Sequence, residues 1–354
     1  FLFEDSLKDE PVSQAKYESG ATRLFSASGL TLQVIMRMYY GDAIDVLTAP
    51  KAIFHNFHAV GMNPYTDWPA AVNVFAEVGL DHMIDADHKT FDAAETAEIL
   101  FEGFGVLDGF YPKATSEDML VRRIIAEAIV FSFHVNKDGI FQWIGSNPSG
   151  NGLTIFLNDL SNQMLLLIVL LCWYLKKHGL TLAEADLDTV DWEEIFTQFR
   201  LLTMGDDVLI GLGKMFADMT TKDFADCLGE YGYELTNSNK TNPTEFPMAP
   251  RHITDTTFTK RGFRRAHGLW VGPLEISSIF KSLHWEHAGL KEKQRQEIIQ
   301  TALYELALHG KEVWTKYAVE ILEASASKPV CYLPLDRTYE ACFKVANTLM
   351  GYHN

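Results

Sequence analysis

Three aspartates in this chain occupy positions where regular structure would hold their carboxylates fixed. In Phe199-Arg-Leu-Leu-Thr-Met-Gly-Asp-Asp-Val-Leu-Ile-Gly211, two apolar runs flank Gly205-Asp206-Asp207. The pattern predicts a hairpin whose tight turn carries adjacent carboxylates at its tip. Two like charges side by side repel, and a bound cation is the natural compensation. Upstream, Met83-Ile-Asp-Ala-Asp-His-Lys-Thr-Phe-Asp92 puts Asp87 at the end of a short apolar strand and Asp92 shortly after it. A carboxylate at a strand end can meet a hairpin tip, and Asp85 shares the Asp87 face in a supporting position. Magnesium takes oxygen ligands and keeps several waters, so a few carboxylates plus substrate phosphates suffice. Two such ions, roughly 3.5–4 Å apart, would activate an attacking hydroxyl and stabilise a leaving pyrophosphate in one in-line displacement. Gly-Asp-Asp alone is equally well an Asp-rich surface turn, so its neighbours have to carry the argument.

Between the acidic segments lies Gly145-Ser-Asn-Pro-Ser-Gly-Asn-Gly-Leu-Thr-Ile-Phe-Leu-Asn158, a glycine-rich loop running into a long apolar helix. Glycines let the backbone approach a ligand closely, and Ser149, Thr154 and Asn158 offer neutral hydrogen-bonding groups. The order of strand-end Asp, Ser-Gly loop with Thr and Asn, then Gly-Asp-Asp is more specific than any one of them.

The elements that must hold these residues are mixed. Strand-like and helical stretches alternate through the first three quarters, whereas residues after about 273 read almost wholly helical, with Leu274–Leu283 and Lys291–Leu322 as helix. In the latter, Ile298, Leu303, Leu306, Val313 and Tyr317 turn toward a core. The sequence has no internal repeat, low-complexity tract or Gly/Ser linker. Its 354 residues, 47% hydrophobic and 22% charged, suit a compact globular protein rather than a disordered or fibrous one. The longest apolar run, Met164–Leu175, falls short of the ~20 residues that span a bilayer and reads as a buried helix. Cys172, Cys227, Cys331 and Cys342 are scattered, without the spacing of a zinc site or disulfide framework, and fit a reducing compartment. The pairs His55/His58 and His284/His287 lack a third clustered ligand, so satisfied or surface histidines are expected there.

A net charge of −17 is awkward for a nucleic-acid partner, since phosphate binding is driven by Lys and Arg releasing counterions. The acidic excess is partly local: residues 184–194 hold six carboxylates and read as a solvated connector. Lys260, Arg261, Arg264 and Arg265 form the clearest basic patch, compatible by itself with a solvated surface and with contact to a phosphate backbone.

At this point the sequence resembles the RNA-dependent RNA polymerases of positive-strand RNA viruses, with the motif order of the picornavirus-like group. Asp87-x4-Asp92 is similar to motif A, Ser149-Gly150 with Thr154 and Asn158 to motif B, and Gly205-Asp206-Asp207 to motif C. Lys8-Asp9-Glu10, Lys16 and Thr22-Arg23 resemble motif F, the basic strip that contacts nucleotide phosphates. Tyr231–Lys240 resembles motif D, with Lys240 as proton donor to the leaving pyrophosphate, a role worth ~10²–10⁴-fold. Thr257–Phe263 resembles motif E, which supports the primer strand, and Gly272–Trp285 the approach to the thumb.

The resemblance implies an α+β right-hand fold with an antiparallel palm sheet, partial fingers and a helical thumb. Fingers would cover 1–39, palm 40–92, a fingers/palm insertion 93–144, palm 145–265 and thumb 266–354. It implies that Asp87 and Asp206 bind Mg2+ (or Mn2+), with Asp207 secondary. Asp92 and Asn158, helped by Thr154, would read the ribose 2′-hydroxyl. Lys8, Lys16, Arg23, Ser149 and Gly150 would meet the nucleotide, and Lys260, Arg261 and Arg264 the RNA. The implied partners are RNA template and primer, NTPs and other viral replication proteins, in the host cytoplasm at membrane-associated complexes. Three features depart from the family pattern. Met204 stands where Tyr is usual, Val12 and Ala21 where basic residues are frequent, and the chain opens at motif F, without the preceding fingers and motif G. The rivals are a reverse transcriptase or other palm-fold polymerase, disfavoured by Asp92 with Asn158, and an inactive RNA-binding scaffold, disfavoured by the complete acidic set.

Overall fold

The computed structural model describes residues 1–12, 14–49, 57–237, 249–285, 289–327 and 334–349. The chain divides into two compact units, one of residues 1–61 and 84–250, the other of 62–83 and 251–354.

The first unit contains two four-stranded sheets and the helices that cover them. One sheet has the order Leu24–Ser28, Leu2–Leu7, Phe133–Asn136, Gly139–Gln142, its middle pair parallel and its outer pairs antiparallel. The other has the order Phe199–Met204, Asp207–Leu212, Met83–His88, Leu235–Asn237. In it the expected hairpin forms, with Phe199 opposite Leu212 and Met204 opposite Asp207. Only Gly205 and Asp206 remain for the turn, and Gly205 takes φ 66°, the left-handed conformation that a two-residue loop needs and a Cβ would strain. Thr236 lies opposite Asp87 and donates from Oγ1 to its carbonyl at 2.9 Å.

The Thr154–Lys177 helix joins the two cores of this unit. Leu153, Phe156 and Leu157 pack with Phe3, Leu32, Met36, Tyr40, Leu100 and Ile129, whereas Leu165, Leu166, Val169 and Leu170 pack with Phe199, Leu201, Ile210 and Phe224. The apolar run is thus part of a longer helix, one long and apolar enough to cross a membrane by length and composition, though 61% of its most apolar window is buried. Burial of these side chains at ~25 cal/mol per Å² is what anchors the helix. The acidic stretch 184–194 is solvent-facing except for half-buried Ala185 and Val190, as its charge requires, and Asp186 and Asp191 cap the short helices that follow them.

The second unit is built on the helices Trp68–Ala76, Ile276–His284, Glu292–Leu308, Lys311–Ala326 and Tyr339–Leu349. Lys291–Leu322 is therefore two helices rather than one. Gly310 at φ 101° separates them, a conformation that halts helical propagation. Two tight hairpins precede the last four of these helices. Thr257–Phe258 pairs with Arg261–Gly262, and Arg264–Ala266 with Leu269–Val271. In the first, Thr259 and Lys260 both sit at positive φ (50° and 61°), as a type I′ turn demands even without glycine.

Candidate active site

Asp206 lies half-buried at the hairpin tip. Burial raises its carboxyl above the ordinary range, and the Asp87 and Asp92 carboxylates raise it further, while Arg23 opposes them. Residues up to 183 positions apart, from motif regions F, A and C, therefore act on one carboxylate. Among the described residues, no group of three or more His, Cys, Asp or Glu side chains converges at metal-binding distance. The donor set nonetheless suits a hard cation, because mutually raised carboxylates are relieved by positive charge, and magnesium fills the rest of its shell with water and phosphate oxygens. Asp85 is almost fully buried on the same strand.

Asp92 begins the short Phe91–Ala94 helix, after Thr90 in the left-handed region at φ 51°. Its carboxylate accepts from the side-chain amide of Asn158, and its carbonyl accepts from Asn147 N at 2.7 Å. Asn147 Nδ2 donates to Asn158 Oδ1 at 2.6 Å, and Asn151 Nδ2 to Asn147 Oδ1 at 2.8 Å. Asn158 is thus oriented unambiguously, its amide nitrogen toward Asp92. Thr154, at the helix start, turns its hydroxyl back to Pro148 O and Asn151 O, both at 2.9 Å, and so closes the Ser-Gly loop.

That loop is docked on Leu24–Ser28. Ser149 Oγ reaches Leu24 O at 3.5 Å, and Gln33 Nε2 donates to Gly150 O at 2.8 Å. A Cβ on Gly150 would lie 2.3 Å from Ser26 O, so only glycine permits this approach. Arg23 and Lys8 share an adjoining ladder, Lys8 N donating to Arg23 O at 2.9 Å, and the exposed Arg23 guanidinium stands 3.6 Å from Glu10. The backbone of Lys16 lies in the Gln14–Glu18 helix, its side chain outside the described set, and Lys240 lies outside the described residues.

Several residues of the site escaped the sequence reading. Asp159, Asn162 and Gln163, buried on the same helix as Asn158, all reach the Phe199–Leu212 hairpin. Asp159 Oδ1 accepts from Gly205 N at 3.1 Å, Asn162 Nδ2 donates to Gly205 O at 3.0 Å and Asp206 O at 3.3 Å, and Gln163 Nε2 donates to Thr203 Oγ1 at 2.9 Å. Asn162 Oδ1 is 3.1 Å from His88 Nε2. Burial lowers His88 to about 4, Asn162 and Asp87 opposing, so the ring is neutral and its proton belongs on Nε2. The missed signal was a pair of polar steps, 158/162 and 159/163, four apart on an otherwise apolar helix. Glu95 was also missed. Burial lifts its carboxyl to about 8, Asp92 and Asp206 adding to the rise; Ser161 and Asn147 oppose it from nearby, although neither Glu95 oxygen has a full hydrogen bond.

In the second unit, one expectation is corrected. Arg261 is buried, forking onto Glu305 (Nη1–Oε2 2.9 Å, Nη2–Oε1 2.7 Å) and donating to Gly272 O at 2.7 Å, with Tyr65 hydroxyl bonded to the same carboxylate. Its donors hold the fold together and are not presented to RNA. Arg264 is half-buried on Leu308 O at 3.0 Å, whereas Lys260 is exposed at its turn.

Comparison with known proteins gives a consistent picture. The family profile for viral RNA-dependent RNA polymerase matches residues 1–326. The chain is 28% identical over 352 residues to the replicase polyprotein of Drosophila C virus (strain EB), covering 96% of this chain and 19% of that polyprotein. It is 26% identical over 322 residues to the genome polyprotein of Human parechovirus 5, covering 91% of this chain and 13% of that one. It thus spans about a fifth or less of these relatives. The solved Sicinivirus 3Dpol RNA dependent RNA polymerase has the same fold, with a TM-score of 0.79 at 20% identity over 99% of this chain and 68% of that chain. The α+β right-hand architecture expected from the motif order is therefore the one observed. A profile match running from the first residue to 326 of 354 leaves a single assignment, that this chain belongs to the viral RNA-dependent RNA polymerase family.

Proposed function

We propose that this chain carries out template-directed RNA synthesis, transferring ribonucleoside monophosphates from NTPs to an RNA 3′-hydroxyl. The observation that carries this reading is the electrostatic convergence on Asp206 of Asp87, Asp92 and Arg23, with the Asp92–Asn158 pair beside it. Asp87 and Asp206, with Asp207 in support, are the residues that would hold Mg2+ or Mn2+. When bound, the ions supply Lewis-acid stabilisation of the attacking and leaving oxygens.

The chain's own groups do the rest. Arg23, with Lys8 and Lys16, offsets triphosphate charge, and Ser149 and Gly150 carry the loop on which the nucleotide rests. Lys240 donates a proton to the departing pyrophosphate. Asp92 and Asn158, braced by Thr154, meet the ribose 2′-hydroxyl, because a half-buried Asp92 and a buried Asn158 left unpaired by a deoxynucleotide pay a desolvation cost. Lys260 and Arg264 are the candidates for RNA backbone contact. The expected fingers, palm, insertion and thumb boundaries belong to the same proposal, as do other viral replication proteins as partners and membrane-associated complexes in the host cytoplasm.

Primer extension on a homopolymeric RNA template with magnesium tests the reading. Wild type should extend, and Asp206→Asn should lower the rate at least ~10³-fold while RNA affinity stays within about two-fold. Equal extension by the two proteins would overturn it.

A further inference from the structure

Asp159 and His58 form a buried pair that the polymerase reading does not use. Asp159 is 1% exposed and His58 3%. The Asp159 carboxylate bridges two donors. One oxygen takes the amide hydrogen of Gly205, the first residue of the catalytic turn, and the other bonds His58 Nδ1.

His58 is held from three sides. Its backbone flanks Thr203 in a parallel bridge, with Phe57 O accepting from Thr203 N and Ala59 N donating to Thr203 O, both at 2.8 Å. Its ring stacks on Phe156 at 5.5 Å between centroids. Phe57, just before it, takes φ 60°, a strained conformation for an aromatic residue that persists only where surrounding contacts impose it. The pair reaches the backbone amide of Gly205, next to Asp206, while Asn162 of the same helix donates to the Gly205 and Asp206 carbonyls.

We propose that His58 and Asp159 are positioning residues that clamp the Gly205-Asp206 turn, fixing the Asp206 carboxylate in its reactive orientation. The proposal rests on the polymerase reading. The physical case is one of acceptor count. In a tight two-residue loop the Gly205 amide has no ladder partner, and an unpaired buried amide is costly. A carboxylate can accept from that amide and from the imidazole at once, whereas an asparagine at 159 would turn its NH2 group toward one of the two donors. His58 fixes the Asp159 rotamer, so the pair acts as a unit. Because reacting groups misplaced by about 1 Å can lose ~10²-fold in rate, loosening the turn should be felt in the chemical step.

The test uses four variants of the full chain, three single and one double, with single-turnover nucleotide addition measured well below each variant's Tm. His58→Phe keeps the ring stack but removes the donor, and Asp159→Asn removes one acceptor. Each should lower the maximal rate ~10–100-fold, with NTP half-saturation and RNA affinity within about two-fold of wild type. His58→Asn, whose Nδ2 can stand in for the imidazole Nδ1, should recover most of the rate. The double variant His58→Phe/Asp159→Asn should be no slower than the worse single, as expected for two members of one unit. Wild-type maximal rates in the folded single variants, or losses confined to NTP or RNA binding, overturn the clamp. A wild type that fails to extend counts against the polymerase reading instead. In that case, or if the variants do not fold, hydrogen exchange of the wild-type Gly205 amide decides: strong protection supports the clamp and free exchange overturns it.

Discussion

Asn158 donates its side-chain amide to the carboxylate of Asp92, joining the long helix to the segment that follows the Asp87 strand. Asn147 fixes the direction of that bond by occupying Asn158 Oδ1 at 2.6 Å. A sugar 2′-hydroxyl arriving here would find a pre-oriented acceptor and donor with no freedom to re-pair elsewhere.

Asn158→Ala should therefore erode sugar selection more than catalysis. The ratio of kcat/KM for UTP to that for dTTP is expected to fall ~10–100-fold, with the loss carried by UTP. An unchanged ratio would remove Asn158 from ribose recognition.

Glu95 gives the protein a pH-dependent weakness. Its folded-state pKa of about 8 stands above the ordinary 4.5. As pH rises through that window, the unfolded chain gives up the proton while the folded one must keep it, so stability is full below about 4.5 and drains away toward 8. Glu95→Gln, a neutral isostere, should melt higher than wild type by roughly 5 °C at pH 8, and the two curves should meet near pH 4.5. Thermal melts across that range check the sign.

Arg261 and Lys260, adjacent in sequence, should behave differently. Arg261→Ala strands the Glu305 carboxylate in the core and is expected to cost ~3–5 kcal/mol in denaturant unfolding, with RNA affinity of the folded protein unchanged. Lys260→Ala should leave stability within about 0.5 kcal/mol and reduce the salt slope of RNA binding by about 1. Fluorescence anisotropy over a salt series separates the two.

Gly150→Ala places a methyl 2.3 Å from the Ser26 carbonyl and 2.9 Å from the Phe25 ring. Since one neighbour is backbone, the loop must lift from Leu24–Ser28, at a cost of ~1–3 kcal/mol. A lower Tm with an unchanged far-UV CD spectrum is the expected result.

Much of this site could be read along the chain because each of its motifs is local in sequence, although the motifs themselves lie far apart. The turn at Gly205 follows from a glycine between two apolar runs, and Asp87 and Asp206 stand out as charges at the ends of strands. The helical ending was equally plain, although Gly310 was not seen to divide Lys291–Leu322, since a single glycine is compatible with either a helix interior or a break.

The rest depends on burial and orientation, which spacing does not encode. Arg261 and Lys260 look alike in a basic run, and only the inward turn of Arg261 onto Glu305 makes it a core residue. Asp159, Asn162 and His58 look like stray polar groups, yet a buried polar group is tolerated only when its donors and acceptors are met. Their partners come from segments 43 to 101 positions away, so the fold alone decides that they gather behind the Gly205–Asp206 turn. The sequence by itself determined which carboxylates stand at strand ends and at the turn; the tertiary structure decided what holds them, because that depends on which distant atoms close each hydrogen bond.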